Sequence, residues 1–158
     1  MKAFKLKEDI RLYTGEDMRT EVLTVKARSI IDFSAAYDVF DPVKNEKVGA
    51  LKRKGLKSIL KDEWIVMDST DRELGTISEE STFLAVIRRF VPFVALLLPQ
   101  QYHVQMGGGP VASFTRNFNP FVMKITLDFT SDINHLMDRR LGLAAGVLLI
   151  AIEGRQND

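Results

Sequence analysis

The sequence predicts an α+β fold in which an antiparallel sheet closes into a barrel around one buried C-terminal helix. Residues 141–152 form a run without a single polar side chain, and charged residues flank this run on both sides. A helix that is apolar on every side has to be buried on every side. Most of the preceding chain instead alternates apolar and polar residues between frequent turn signals, which is typical of antiparallel hairpins. Closing such a meander into a barrel removes its exposed edge strands.

An internal repeat supports hairpins in the first half of the chain. Val25-Lys26-Ala27-Arg28 resembles Leu51-Lys52-Arg53-Lys54 at an offset of 26 residues, and Tyr37 matches Trp64 at an offset of 27. A weaker third copy covers residues 12–23. Each unit reads as a strand, a turn and a second strand, so the units predict consecutive hairpins of similar shape.

The second half of the chain predicts two helices and three further strands. Thr76-Ile77-Ser78-Glu79 has the pattern of a capping box, so a helix is expected to begin near Ser78 and to continue through residues 83–98. Asp132 is expected to cap the last helix over residues 133–152. The three strands are expected at residues 101–106, 110–117 and 122–129.

Bulk properties restrict the class of protein. The chain has 158 residues, which suits one domain over residues 1–158, and its net charge is +1. The absence of cysteine excludes disulfides and thiolate chemistry. Residues 1–10 have no continuous apolar stretch of the kind found in signal peptides, so a cytoplasmic location is expected. The apolar runs in 83–98 and 141–152 are too short to span a bilayer.

The paired units resemble the tubby C-terminal-like superfamily, in particular its LURP-one-related branch and the phospholipid scramblases. The resemblance rests on Tyr37-Asp38-Val39-Phe40-Asp41-Pro42, on Trp64-Ile65-Val66-Met67-Asp68, on the basic hairpin 52–57 and on the closing segment 138–152. It implies a closed antiparallel barrel of about twelve strands with a hydrophobic helix through its centre. It also implies binding of phosphoinositides or other lipid headgroups through basic residues on the barrel. Scramblases carry a proline-rich region and acylated cysteines, and this chain has neither.

The basic hairpin and its repeat partner are the candidate ligand site. If Val25, Ala27 and Leu51 face the barrel interior, the alternating cations face outward and make one basic stripe. The same lysines could instead form a solvated surface that only protects a sheet edge from pairing. The candidate ligand-binding residues are Lys26, Arg28, Lys52, Arg53, Lys54, Lys57, Arg88 and Arg89.

Other polar features carry weaker signals. Arg88 and Arg89 lie on one face of the predicted helix 83–98, which is either a lid on the barrel or an element that touches a headgroup layer. Gly107-Gly108-Gly109-Pro110 lacks the Lys-Ser/Thr of a phosphate-binding loop and is expected to be a hairpin tip. Neither His103 nor His135 has acidic or histidine neighbours at metal-ligand spacing.

These observations favour a non-enzymatic module without metal or cofactor that docks on anionic phospholipid headgroups, at the cytoplasmic surface of a membrane. No transmembrane span and no nucleic-acid partner are expected. The alternative hypothesis is a cytosolic scaffold barrel whose basic face binds an acidic protein surface.

Overall fold

The computed structural model describes residues 9–28, 35–54, 63–79, 100–117 and 124–153. These residues form nine strands and one helix. The strands are β1 (Asp9–Tyr13), β2 (Glu21–Ala27), β3 (Ala36–Asp41), β4 (Glu46–Arg53), β5 (Glu63–Met67), β6 (Glu73–Glu79), β7 (Gln100–Met106), β8 (Gly109–Asn117) and β9 (Lys124–Asp128), and the helix is α1 (Arg139–Glu153). The α+β class is therefore confirmed.

The nine strands form one antiparallel meander in which each strand pairs with the next along the chain. The order runs from β1 to β9, and within the described residues no pairing joins β1 to β9. The prediction of a closed barrel is therefore wrong, because the sheet curls around the helix and stays open along one side. The structure gives nine strands in its described part where about twelve were expected.

One face of this curled sheet, the inner face, carries the hydrophobic core. Val25, Val39, Val66 and Val104 are fully buried on four different strands. Helix α1 packs on the inner face against β2, β4 and β9. Close packing depends on glycine, since a Cβ added at Gly146 would lie 2.8 Å from the Cδ2 atom of Leu127 on β9.

The two repeat units of the sequence form hairpins with equivalent strand pairing. Ala27 of β2 pairs with Tyr37 of β3, and Arg53 of β4 pairs in the same way with Trp64 of β5. A bulge follows Val39 in the first unit, and another follows the equivalent Val66 in the second. The third copy has its own bulge after residue 12. The repeated hairpins of the sequence are thus confirmed, and each bulge lies near the turn that closes its hairpin.

Successive strands run in opposite directions, so they finish at two opposite ends of the sheet. The turns after β1, β3, β5 and β7 lie at one end, which we call the turn end. The segment between β9 and α1 also starts at the turn end, because β9 runs toward it. Strands β2, β4, β6 and β8 finish at the opposite end.

The predicted helix starts differ from the described structure. Ser78 and Glu79 belong to β6, so no helix begins near Ser78, and residues 83–98 lie outside the described residues. Helix α1 begins at Arg139 and not at residue 133. Asp138 is its N-cap, since Oδ1 accepts a hydrogen bond from the Arg140 N–H at 2.9 Å. The three expected strands of the second half agree with β7, β8 and β9 within two residues at most ends.

Burial of α1 is less complete than its sequence predicts. Leu141, Ala144, Ala145 and Leu148 are buried against the sheet. One stripe is not, since Leu143 keeps 39% of its surface exposed and the next residues on the same side are only half-buried. A helix inside an open sheet can be covered on most sides but not on all.

Candidate functional site

The predicted basic stripe lies on the outer face of the sheet. Val25 and Leu51, which were expected to face inward, are buried in the core, and Ala27 packs against it. Because side chains alternate along a strand, Lys26 and Lys52 lie on the opposite face. Arg28 and Lys54 follow the same alternation just beyond the ends of β2 and β4. The structure therefore brings four of the predicted cations to one face, although it gives them different surroundings.

Arg28 belongs to a compact cluster of four alternating charges. Its guanidinium donates to Asp38 at 2.5 Å and also to Asp71. The Lys47 ammonium reaches the same two carboxylates, at 3.0 Å and 2.7 Å respectively. This group, which we call the Arg28 quartet, holds two positive and two negative side chains in mutual contact.

The quartet shifts the pKa of each member toward its charged form. Burial raises the pKa of Asp38, but hydrogen bonds from Arg28 and Lys47 outweigh burial and hold the pKa below 3.8. Hydrogen bonds from Lys47 and Arg28 lower the pKa of Asp71. Hydrogen bonding to Asp38 raises the pKa of Arg28. Arg28 is therefore engaged in folding contacts and is a poor candidate for binding an external anion.

Lys54 is also engaged. Its ammonium lies 2.9 Å from a carboxylate oxygen of Glu63, and both side chains are partly exposed. An exposed pair of this kind contributes little stability, but it lowers the net positive charge at this end of the stripe.

Lys26 and Lys52 differ from the other two cations, because neither forms an ion pair with any residue that the structure describes. Lys52 has Ala36 and Ile65 as its neighbours across the sheet, so no carboxylate is beside it. Lys26 lies between two aspartates in the pairing register, yet its ammonium sits 5.9 Å above the ring of Phe40. These two lysines therefore lie beside apolar side chains on the outer face and form no ion pair with a described residue, although Asp9 and Asp38 flank Lys26.

The remaining predicted residues do not extend this surface. Arg53 occupies the inward-facing position opposite Trp64, near the end of β4, and is half-buried. This places it at the rim of the inner face and away from the stripe. Lys57, Arg88 and Arg89 lie outside the described residues.

A second charged site, which was not among the predicted site residues, surrounds the start of α1 at the turn end. The guanidinium of Arg140 lies 2.7 Å from carboxylate oxygens of Asp41, Glu46 and Asp138. Asp41 also accepts backbone hydrogen bonds from Val43 and Lys44, both at 3.0 Å. Arg140 thus ties the β3–β4 turn to the helix.

Asp132 organises the segment that leads into α1. Its side chain is fully buried and accepts hydrogen bonds from the N–H groups of Leu136 and Met137, at 2.7 Å and 3.1 Å. Arg139 donates to the second carboxylate oxygen at 2.9 Å and stacks 4.4 Å above the ring of Phe129. Burial raises the pKa of Asp132, but these donors outweigh burial and the pKa lies below 3.8. Asp132 caps a turn before the helix, and not the helix itself.

A signal for this second site was present in the sequence. Arg139 and Arg140 stand in the first turn of a helix, where the macrodipole disfavours cations. Two arginines at such a position indicate that carboxylates from elsewhere in the fold surround them. Asp41 and Asp68 each cap their own turn. The contacts of Arg140 with Asp41, Glu46 and Asp138 were not predicted.

The weaker features have structural roles. Gly107 and Gly108 form the β7–β8 turn with φ values of 58° and 84°, so the glycine run is a hairpin tip as predicted. In the part of the chain that the structure describes, no three His, Asp or Glu side chains come together in a way that could hold a metal ion.

The fold is a β-meander built around a C-terminal helix. The family model described as LURP-one-related matches residues 1–150. The chain therefore belongs to the LURP-one-related family, as its paired hairpins predicted. Searches of curated proteins and of solved structures gave no match. None of the described helical residues forms a helix of the length and apolar character that crossing a bilayer requires.

Proposed function

We propose that this chain is a non-enzymatic module that binds anionic phospholipid headgroups through the outer face of its sheet. The observation that carries the proposal is the pair Lys26 and Lys52, which face outward and form no ion pair with any described residue. The other outward cations, Arg28 and Lys54, are already paired with carboxylates.

The geometry suits a flat anionic surface better than a small ligand. Lys26 and Lys52 stand on β2 and β4, so β3 separates them and their backbones are about 10 Å apart across the sheet. Phe40 and Ile65 lie beside them on the same face and are half-buried. Two spaced cations next to apolar side chains match headgroups that stand above an acyl layer.

The expected binding is weak and sensitive to salt. Each basic residue near an anionic bilayer contributes about 1 kcal/mol, so these two lysines give an affinity difference of about 30-fold. Lys57, Arg88 and Arg89 were predicted to belong to the same site and lie outside the described residues. Two or three such contacts support reversible attachment at the periphery of a membrane.

The test is co-flotation with liposomes of phosphatidylcholine alone and of phosphatidylcholine mixed with phosphatidylserine, each at low and at high salt. We expect the parent protein to float only with the anionic liposomes and only at low salt. The variant Lys26→Glu/Lys52→Glu should stay at the bottom of the gradient.

A matched control separates this surface from net charge. Arg19→Glu/Lys44→Glu makes the same change in charge at the turn end, where both side chains are exposed. This control should float like the parent. If both double variants lose binding equally, a general charge effect replaces the proposed site. If the parent never floats, the proposal is wrong, and the scaffold hypothesis with an acidic protein partner takes its place.

A further inference from the structure

Strand β9 (Lys124–Asp128) is the last strand of the sheet and has an edge with no partner among the described strands. It pairs with β8 on one side, and the strand order ends there. Its side chains alternate between exposed and half-buried. An edge strand of this kind presents a row of backbone donors and acceptors that can pair with a further strand.

The incompletely covered stripe of α1 lies next to this edge. Gly142 and Gly146 face Phe129 and Leu127, so this side of the helix packs on β9 and on the residue after it. The helical spacing places Leu143, Val147 and Ile150 on one side of the helix. This side is adjacent to the side that packs on β9 and points away from β4. An apolar stripe therefore runs along the open side of the sheet, beside the edge of β9 that no described strand covers.

The sequence of β9 is complementary to itself. In an antiparallel pair of two β9 strands centred on Thr126, Lys124 of each copy lies opposite Asp128 of the other. Ile125 lies opposite Leu127, and the two Thr126 residues face each other. Opposite charges, apolar pairs and threonine pairs are the combinations that stabilise neighbouring strands.

The side chains of β9 are accessible for this pairing. Lys124, Thr126 and Asp128 are exposed on the outer face. Thr126 also accepts a hydrogen bond from Asn117, and Asp128 accepts one from the Thr130 N–H with one of its two oxygens. Ile125 and Leu127 are half-buried on the inner face, beside the apolar stripe of α1. Both the charged pairs and the apolar pairs would therefore gain contacts when the edge is covered.

We propose that two copies of this chain associate through β9 into a two-fold symmetric dimer with one continuous antiparallel sheet. The symmetry axis is perpendicular to the sheet and passes between the two Thr126 residues. It keeps both inner faces on the same side, so the stripes formed by Leu143, Val147 and Ile150 approach each other across the axis. This inference uses the β9 edge and not strands β2 and β4 of the proposed lipid site, so it does not depend on that site.

Charge-reversal variants of β9 test the proposed strand pairing. Multi-angle light scattering after size-exclusion chromatography measures the mass of each variant in solution. The parent should be a dimer that dissociates on dilution. Lys124→Glu alone and Asp128→Lys alone should each be a monomer, because each places two like-charged pairs across the axis. An equimolar mixture of the two variants should form a dimer again, since every cross-strand pair is then of opposite charge.

A cysteine substitution tests the register directly. The chain has no cysteine, so Thr126→Cys introduces the only thiol. Opposite residues of an antiparallel pair have Cα atoms about 4.5 or 5.5 Å apart, within the range of about 4.4–6.8 Å that a disulfide tolerates. Mild oxidation should convert the Thr126→Cys variant to a covalent dimer. Thr115→Cys, on the neighbouring strand β8, is the matched control and should run as a monomer on a non-reducing gel.

Three results would overturn the proposal. The first is a parent protein that remains a monomer at every concentration at which it is soluble. The second is a dimer that both single charge variants retain. The third is equal cross-linking of the Thr126→Cys and Thr115→Cys variants. Circular dichroism of each variant checks that its fold is intact, so that a lost dimer reports on the edge.

Discussion

Charged side chains at the start of α1 and those on the outer face of the sheet differ in how completely they are paired. At the start of α1, Arg140 contacts three carboxylates, and Asp132 is fully hydrogen-bonded inside the fold. On the outer face the Arg28 quartet is paired, whereas Lys26 and Lys52 form no ion pair with a described residue. The paired groups serve folding, and the two lysines are the residues to which we assign the proposed headgroup binding.

Substitutions where α1 packs on the inner face should lower the free energy of unfolding most. Gly146→Leu forces a side chain into the space of Leu127, whose Cδ2 atom already lies 2.8 Å from the position of an added Cβ. We expect overpacking to lower the free energy of unfolding by about 3 kcal/mol. Urea denaturation measures the change. The control is Leu143→Met on the exposed stripe, which conserves side-chain volume and should change the free energy of unfolding by less than about 0.5 kcal/mol. Equal effects of the two variants would contradict this arrangement of the helix.

Loss of Arg140 should have the next largest effect. In Arg140→Ala, Asp41, Glu46 and Asp138 lose their shared partner and repel one another across the start of the helix. We expect the variant to be less stable by about 2 kcal/mol, with a lower melting temperature. Arg19→Ala is a suitable control, because Arg19 is largely exposed and its removal should leave the melting temperature unchanged.

Acid should weaken the parent through the carboxylates with lowered pKa values. Hydrogen bonds from Thr70 and Arg72 lower the pKa of Asp68 to about 2, and Arg140 lowers the pKa of Asp138 below 3.8. Such groups stabilise the fold above their unfolded pKa, and this contribution disappears as the pH falls through the folded pKa. The melting temperature should therefore fall between about pH 4 and pH 2.

The Arg140→Ala variant sharpens this test. Without the guanidinium, the pKa of Asp138 should return toward its ordinary value, so the variant should lose less stability over the same pH range. Thermal melts at successive pH values give both curves. Parallel curves for the two proteins would show that Arg140 contributes nothing to the acid sensitivity.

The outer face should give the smallest change in stability. Lys26→Glu/Lys52→Glu breaks no ion pair that the structure describes, but it places a glutamate opposite Asp9 and Asp38. Its free energy of unfolding should therefore be lower than that of the parent, by less than about 1 kcal/mol. Arg28→Ala, two residues from Lys26, removes a member of the Arg28 quartet and should destabilise the fold more. Chemical denaturation of both variants checks the order.

Local features of the fold were accessible from the sequence. The repeat predicted hairpins that pair in equivalent register, and the apolar run predicted the helix that fills the concave side of the sheet. The alternation of Val25, Lys26 and Leu51, Lys52 predicted which side chains face outward. These features depend on neighbours along one strand or one hairpin. There, the alternation of apolar and polar residues follows directly from which side chains are buried.

Long-range features were not accessible in the same way. Closure of the sheet depends on whether the first and last strands meet, which no local pattern encodes. Arg28 pairs with Asp71, which lies 43 residues further along the chain. Because Asp71 is outside the repeat unit of Arg28, the sequence of that unit did not predict the ion pair. The start of α1 was misplaced because Asp132 and Asp138 both have cap chemistry, and tertiary contacts decide between them.

The most direct test of the contrast between the paired charges and the two lysines is the affinity of Lys26→Glu/Lys52→Glu for phosphatidylserine-containing vesicles, relative to the parent at the same low salt. Vesicle sedimentation over a range of lipid concentrations gives both values. The proposed headgroup site predicts at least about a 30-fold loss of affinity in a variant that remains folded. An unchanged affinity in that stable variant would contradict it and would show that the outward lysines do not bind the membrane.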